Sequence, residues 1–129
     1  MDRDLLILAA RLCLSAVYLY SGFDKLINWQ NGLAFVTRHR LTPQVPVLAA
    51  TIVLHLAGGF MVLLGIFARE GAMLLLLFTL IATLRVHFPR GLKGEEFRRE
   101  TTISLEHLGI IGGLLMLAVV GPGGYVLVR

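Results

Sequence analysis

The chain has 129 residues, of which 57% are hydrophobic and 16% charged, with a formal net charge of +4. This is too apolar for the largely polar surface that a water-soluble domain of this size requires. The single cysteine, Cys13, excludes an internal disulfide, a CxxC couple or a cysteine metal cluster within one chain.

Four apolar runs carry the organisation: Leu5 to Phe23, Val45 to Phe67, Gly71 to Phe88 and Ser104 to Gly121. Each approaches the roughly 20 residues that a helix needs to cross about 30 Å of hydrocarbon. The expected fold is all-α, a transmembrane four-helix up-and-down bundle forming one domain over residues 1–129.

The first run follows Met1-Asp2-Arg3-Asp4, which lacks the basic start of a secretory signal, and Arg11 interrupts it. It reads as a retained helix. The connection from Asp24 to Gln44 is too long for a tight turn. Its segment from Trp29 to Val36 mixes aromatic and polar residues, as an interfacial or re-entrant piece would. Pro43 and Pro46 then mark the start of the second span. The short connection Ala68 to Glu70 makes the second and third spans antiparallel neighbours. The link from Pro89 to Thr102 is densely charged and solvated, with a helical turn expected through Glu95 to Arg99. Gly121-Pro122-Gly123-Gly124 breaks the fourth helix.

Basic residues sort by loop. Lys25, Arg38 and Arg40 follow the first span; Arg90, Lys93, Arg98 and Arg99 follow the third, with Arg85 just inside it. Arg3, Arg69 and Arg129 fall on the opposite side. The positive-inside rule then makes both long loops cytoplasmic and both termini extracytoplasmic. These charges report orientation and contact with lipid headgroups, and no nucleic-acid partner is expected.

Ionisable groups within a span are costly unless they face protein, water or a partner. Arg11, Ser15, Tyr18, Gly22 and Lys25 share one face of the first helix; Thr51, His55, Gly58, Val62 and Gly65 share one face of the second. Glu106, Gly109, Gly113 and Met116 form a third stripe, on the fourth helix. All three stripes are expected to face a common interior. Gly58, Gly59, Gly109, Gly112 and Gly113 are expected to let helix backbones approach closely.

By helical rise, Arg11 lies about 9 Å from one face and His55 about 15 Å from the other, so the two could meet if their helices adjoin. Arg11, Ser15, Tyr18 and His55 are therefore the candidate ligand-binding residues. An unmatched guanidinium beside a membrane cavity suits an anionic or carbonyl-bearing ligand. A second polar cluster at the inner face comprises Asp24, Lys25, Arg85, His87, Glu106 and His107, with Arg85 and Glu106 as its expected ion pair. Snorkelling charges paired at the interface would look the same.

Of the four histidines, only His87 and His107 share a depth suited to a bis-histidine haem, and both lie at the wet boundary. No metal site is expected, since no tight ligand motif such as HExxH occurs. Nucleotide and nucleophile-elbow fingerprints are also absent from the sequence. No catalytic residue is assigned.

The chain resembles the DoxX family of small bacterial and archaeal membrane proteins. The features that carry the resemblance are Arg11, Ser21-Gly22-Phe23-Asp24-Lys25-Leu26, the segment from Gly58-Gly59 to Ala68-Arg69, Gly112-Gly113-Leu114-Leu115 and Gly121-Pro122-Gly123. The resemblance implies a four-helix bundle in the inner membrane and association with redox systems. Its members commonly carry an acidic residue where this chain has His55, which removes the expected carboxylate partner of Arg11.

The function expected on this basis is that of a quinone-linked membrane subunit binding a small ligand or quinone within the bundle. No other cofactor is evident. Electrons would come from a partner redox subunit or a bound reductant, since the chain shows no flavin, metal or dithiol motif. The alternatives are a non-catalytic assembly factor, or a small transporter or lipid-binding protein working as a homo-oligomer.

Overall fold

A computed structural model describes residues 2–128, so Arg129, one of the orienting charges, lies outside the described residues. Helix α1 spans Arg3–Ile27, α2 Trp29–Arg38, α3 Gln44–Leu64, α4 Ala68–Ala82 and α5 Gly94–Val120. A π-helical turn, Thr83–His87, continues α4. Helices α1, α3, α4 with its π turn, and α5 are each long and apolar enough to cross a membrane.

Local chemistry sets the ends. The Asp2 carboxylate accepts from the Asp4 N–H and caps α1. At the other end of α1, the Asn28 N–H and side chain both return to Asp24. Helix α3 stops at Gly65, whose φ of +71° suits glycine and whose N–H reaches the Met61 carbonyl.

The structure adds two features to the sequence reading and corrects one boundary, the start of α5. The first connection contains a ten-residue helix, α2, which Gly32 admits close to Leu48 of α3; a Cβ at Gly32 would lie 2.9 Å from that leucine. Helix α5 begins at Gly94, ten residues before the apolar run at Ser104, because hydropathy marks only the part of a helix that meets lipid. The segment after Gly121 is part of the fold: Leu127 and Val128 donate to the Leu64 and Gly65 carbonyls, and Phe67 donates back to Val128. It closes over the α3–α4 turn.

The helix N-terminus of α1, the α3–α4 turn and the chain's last segment thus share one end, here called the terminal end. The basic end carries α2 and the α4–α5 loop. Helix α1 packs tightly on α3, α3 on α4 and α4 on α5, whereas α1 and α5 touch sparsely. Leu48, Val62, Leu75 and Leu114 are fully buried between these helices. The exterior is also apolar, with Leu105, Leu108, Met116 and Val119 of α5 exposed where lipid contacts the bundle.

Candidate functional site

The two polar stripes on α1 and α3 do face inward. Arg11, Ser15, Tyr18 and Gly22 are the buried residues of α1; His55, Gly58 and Val62 lie on the buried face of α3. The stripe on α5 faces outward instead, except at Gly113, which packs against Leu14 of α1. Glu106, Gly109 and Met116 are exposed, and α5 buries Leu114 and Leu117. A membrane helix has apolar residues on both faces, so polarity and small size misassigned the inward face of α5. Gly58, Gly59 and Gly113 meet Leu75, Leu19 and Leu14, whereas Gly109 and Gly112 have nothing within 4 Å of an added Cβ.

Arg11 is only 1% exposed and is occupied by the fold. Its Nε donates to the Val62 carbonyl at 2.8 Å, and its Nη2 donates to Leu63 at 2.8 Å. Its Nη1 donates to the carbonyls of Pro122, at 3.1 Å, and Tyr125. Four backbone oxygens therefore satisfy the guanidinium without a carboxylate. Ser15 donates to the Leu12 carbonyl. Neither Arg11 nor Ser15 lines the cleft described next, so the four sequence candidates divide two and two.

That cleft, of about 220 Å³, lies toward the basic end and is walled by all five helices. Tyr18, Ser21 and Lys25 come from α1, Gly32 and Phe35 from α2, Thr51 and His55 from α3, Phe78 and Thr79 from α4, His87 from the π turn and His107 from α5. Lys25 Nζ donates to Ser21 Oγ at 2.6 Å. The Tyr18 and Thr79 hydroxyls are hydrogen-bonded.

His55 is the anomaly. It is 6% exposed, and neither ring nitrogen has a hydrogen-bond partner among the described residues. Tyr18 and Phe78 hold its ring edge-on, at centroid distances of 5.4 and 4.8 Å. Leaving a buried polar group unpaired costs about 1–3 kcal/mol, so an imidazole kept in this position needs a reason.

The predicted inner cluster splits. Lys25, His87 and His107 line the cleft, while Asp24, Arg85 and Glu106 are exposed. Arg85 and Glu106 form no ion pair among the described residues. Instead His87 Nδ1 pairs with Glu100 Oε2 at 3.0 Å. The sequence reading missed Glu100 because it lay within a segment taken as a solvated loop; on a helix starting at Gly94 it comes opposite the π turn. Ser104 Oγ donates to the His87 carbonyl at 2.7 Å and fixes that junction. His87 and His107 stand edge to face at 5.2 Å. Among the described residues, no group of three or more His, Cys, Asp or Glu side chains converges as a metal site would require.

Chemically, the cleft offers an apolar slot with donors at separate points: the Lys25 ammonium, the His55 and His107 imidazoles and the Tyr18–Thr79 hydroxyl pair. It suits an uncharged or weakly anionic ring bearing carbonyl or hydroxyl groups.

The sequence model of the DoxX family matches residues 6–88. Over 129 aligned positions the chain is 27% identical to "Inner membrane protein YphA" of Escherichia coli (strain K12), covering 98% of this chain and 91% of that protein. It is 30% identical over 127 positions to "Inner membrane protein YqjF" of the same organism, covering 95% and 89%. No solved structure matches it.

Proposed function

The chain belongs to the DoxX family and is a multi-pass inner-membrane protein, and from that premise we propose that it is a quinone-linked membrane subunit that binds a carbonyl-bearing ring in its cleft. The observation that carries this reading is His55, a buried imidazole with two unpartnered nitrogens on the cleft wall. The residues fit such a head group. His55 and the Lys25 ammonium supply donors for carbonyl oxygens, and Phe35 and Phe78 supply flat apolar contact.

The cleft volume is below the roughly 300–1,000 Å³ of sites for drug-sized ligands, so it takes a single ring and leaves an isoprenoid tail outside. A bound quinone supplies two-electron chemistry, and the electrons come from a partner redox subunit. The protein's share is to hold the ring, exclude bulk water and position proton donors. In this reading the basic end, with Arg38, Arg40, Arg90 and Arg98, faces the cytoplasm.

The test is extraction into mild detergent, followed by mass spectrometry of co-purified quinones and lipids. Near-stoichiometric quinone, lost in a folded His55→Leu protein and retained in Arg98→Ala, is the expected result. Purified protein with no enriched quinone overturns the reading and favours a scaffold or assembly factor.

A further inference from the structure

Beside the cleft, at the basic end, lies a second and more open cavity of about 660 Å³, a vestibule lined by Arg38, Arg99 and Glu100 among others. Among the described residues, Phe35, Val86 and His87 alone line both the vestibule and the cleft, so they stand between the two. Phenylalanine and valine cannot carry a proton. His87 can.

Its neighbours stand on opposite sides of that boundary. Glu100 lines the vestibule but not the cleft, and its carboxylate holds His87 Nδ1 at 3.0 Å. His107 lines the cleft but not the vestibule, with its ring edge to face with His87 at 5.2 Å. Both imidazoles are anchored at Nδ1. An ionised carboxylate only accepts, so His87 Nδ1 carries its proton toward Glu100. The Thr83 hydroxyl gives its hydrogen to the Thr79 carbonyl at 2.6 Å, so it accepts from His107 Nδ1 at 2.8 Å. Each ring is therefore left with a free Nε2, able to take up or release a proton. The π turn that carries Thr83 and His87 is itself a backbone irregularity of the kind that gathers at functional sites.

We propose that Glu100, His87 and His107 form a proton-transfer gate that admits protons from the vestibule to the cleft. His87 Nε2 takes a proton from vestibule water while the Glu100 carboxylate holds Nδ1–H; the imidazolium gives that proton to His107 Nε2, and His107 gives it to an acceptor in the cleft, so both rings return to the neutral form. Only N–H and O–H bonds form and break, and no electron moves. His55, on the wall of the same cleft with both nitrogens unpartnered, offers an acceptor, so the gate does not depend on the cleft's ligand being a quinone.

The experiment uses full-length protein, labelled with ¹⁵N-histidine and reconstituted in phosphatidylethanolamine–phosphatidylglycerol vesicles. Solid-state NMR follows exchange of the His55 and His107 ring protons after transfer to D₂O. His87→Phe should slow both by about a hundredfold, the low end of what a positioned proton-transfer group contributes. Glu100→Gln, a change at the vestibule side that spares the packing of the residues between vestibule and cleft, should slow both in the same direction. His39→Phe, which alters the ring stacked on Phe35 outside the cleft, should leave both rates unchanged. Rates unchanged in both His87→Phe and Glu100→Gln overturn the gate, as does equal slowing in His39→Phe.

Discussion

The Nε of Arg11 donates to the carbonyl of Val62 at 2.8 Å across 51 residues of sequence, tying the middle of α1 to the last turn of α3. The same guanidinium reaches Leu63, Pro122 and Tyr125, so one side chain joins three parts of the terminal end. A planar fork with five N–H donors can serve several carbonyls at once, where an ammonium cannot. Arg11→Leu leaves these oxygens unpaired away from water and should destabilise the protein by on the order of 3 kcal/mol. Arg11→Lys should recover only part of that loss. Thermal unfolding in detergent reads the stability. Amide exchange at Leu127 and Val128, which donate to Leu64 and Gly65, reads whether the last segment has come undocked. Unchanged exchange in Arg11→Leu would mean that the segment is held by its own backbone bonds.

The glycines divide by what surrounds them. Gly65 has φ +71°, and an added Cβ would lie 2.8 Å from both Arg11 Nη2 and Val126 Cα. Gly65→Ala combines a left-handed backbone penalty of about 1–2 kcal/mol with displacement of the Arg11 fork. Gly109 and Gly112 are helical and open, so Gly109→Ala and Gly112→Ala should each leave stability unchanged or raise it by up to about 1 kcal/mol. Denaturation of the three variants in one detergent tests the order. A Gly112→Ala protein less stable than Gly65→Ala would contradict the outward placement of that face.

This division also marks how far the sequence could be read. On α1 and α3 the costly residues, Arg11, Ser15, Tyr18 and His55, recur at helical spacing, and only an inward face can accommodate them. On α5 the inward residues beyond His107 are Ile110, Leu114 and Leu117, chemically like those facing lipid, so spacing carried little contrast. Glycines were a poor substitute, since glycine next to lipid carries no desolvation penalty. The Glu100–His87 pair was hidden for another reason. It depends on α5 running as far back as Gly94 through a charged segment, and on a π turn at the end of α4, and neither has a hydropathy signature. Splitting of the expected inner cluster follows from the same two features.

Tyr18 and Thr79 bridge α1 and α4 across the cleft wall through their hydroxyls. A double-mutant cycle of Tyr18→Phe and Thr79→Val isolates that bond from the packing of the ring. Inter-helix hydrogen bonds in membrane proteins average roughly 0.6 kcal/mol, and the coupling here should be of that size and no more than about 1.7. A coupling near zero would show that each hydroxyl finds another partner when its mate is removed, and that cleft water reaches this level of the bundle.

His55 provides the sharpest separation between stability and function. Its ring is buried against Tyr18 and Phe78 with both nitrogens unpartnered, which disfavours the folded state by about 1–3 kcal/mol. His55→Leu removes the two orphaned atoms and keeps an apolar side chain of comparable bulk. The variant should therefore be at least as stable as the parent, by roughly 1 kcal/mol if the leucine packs well, while losing whatever ligand the cleft retains. A residue selected for packing behaves in the opposite way, since replacing it lowers stability and alters binding only through unfolding. Thermal unfolding and ligand retention measured on the same preparations separate the two. If His55→Leu is clearly less stable and still carries the ligand, the imidazole is a structural element, and the binding reading moves to Lys25 and His107.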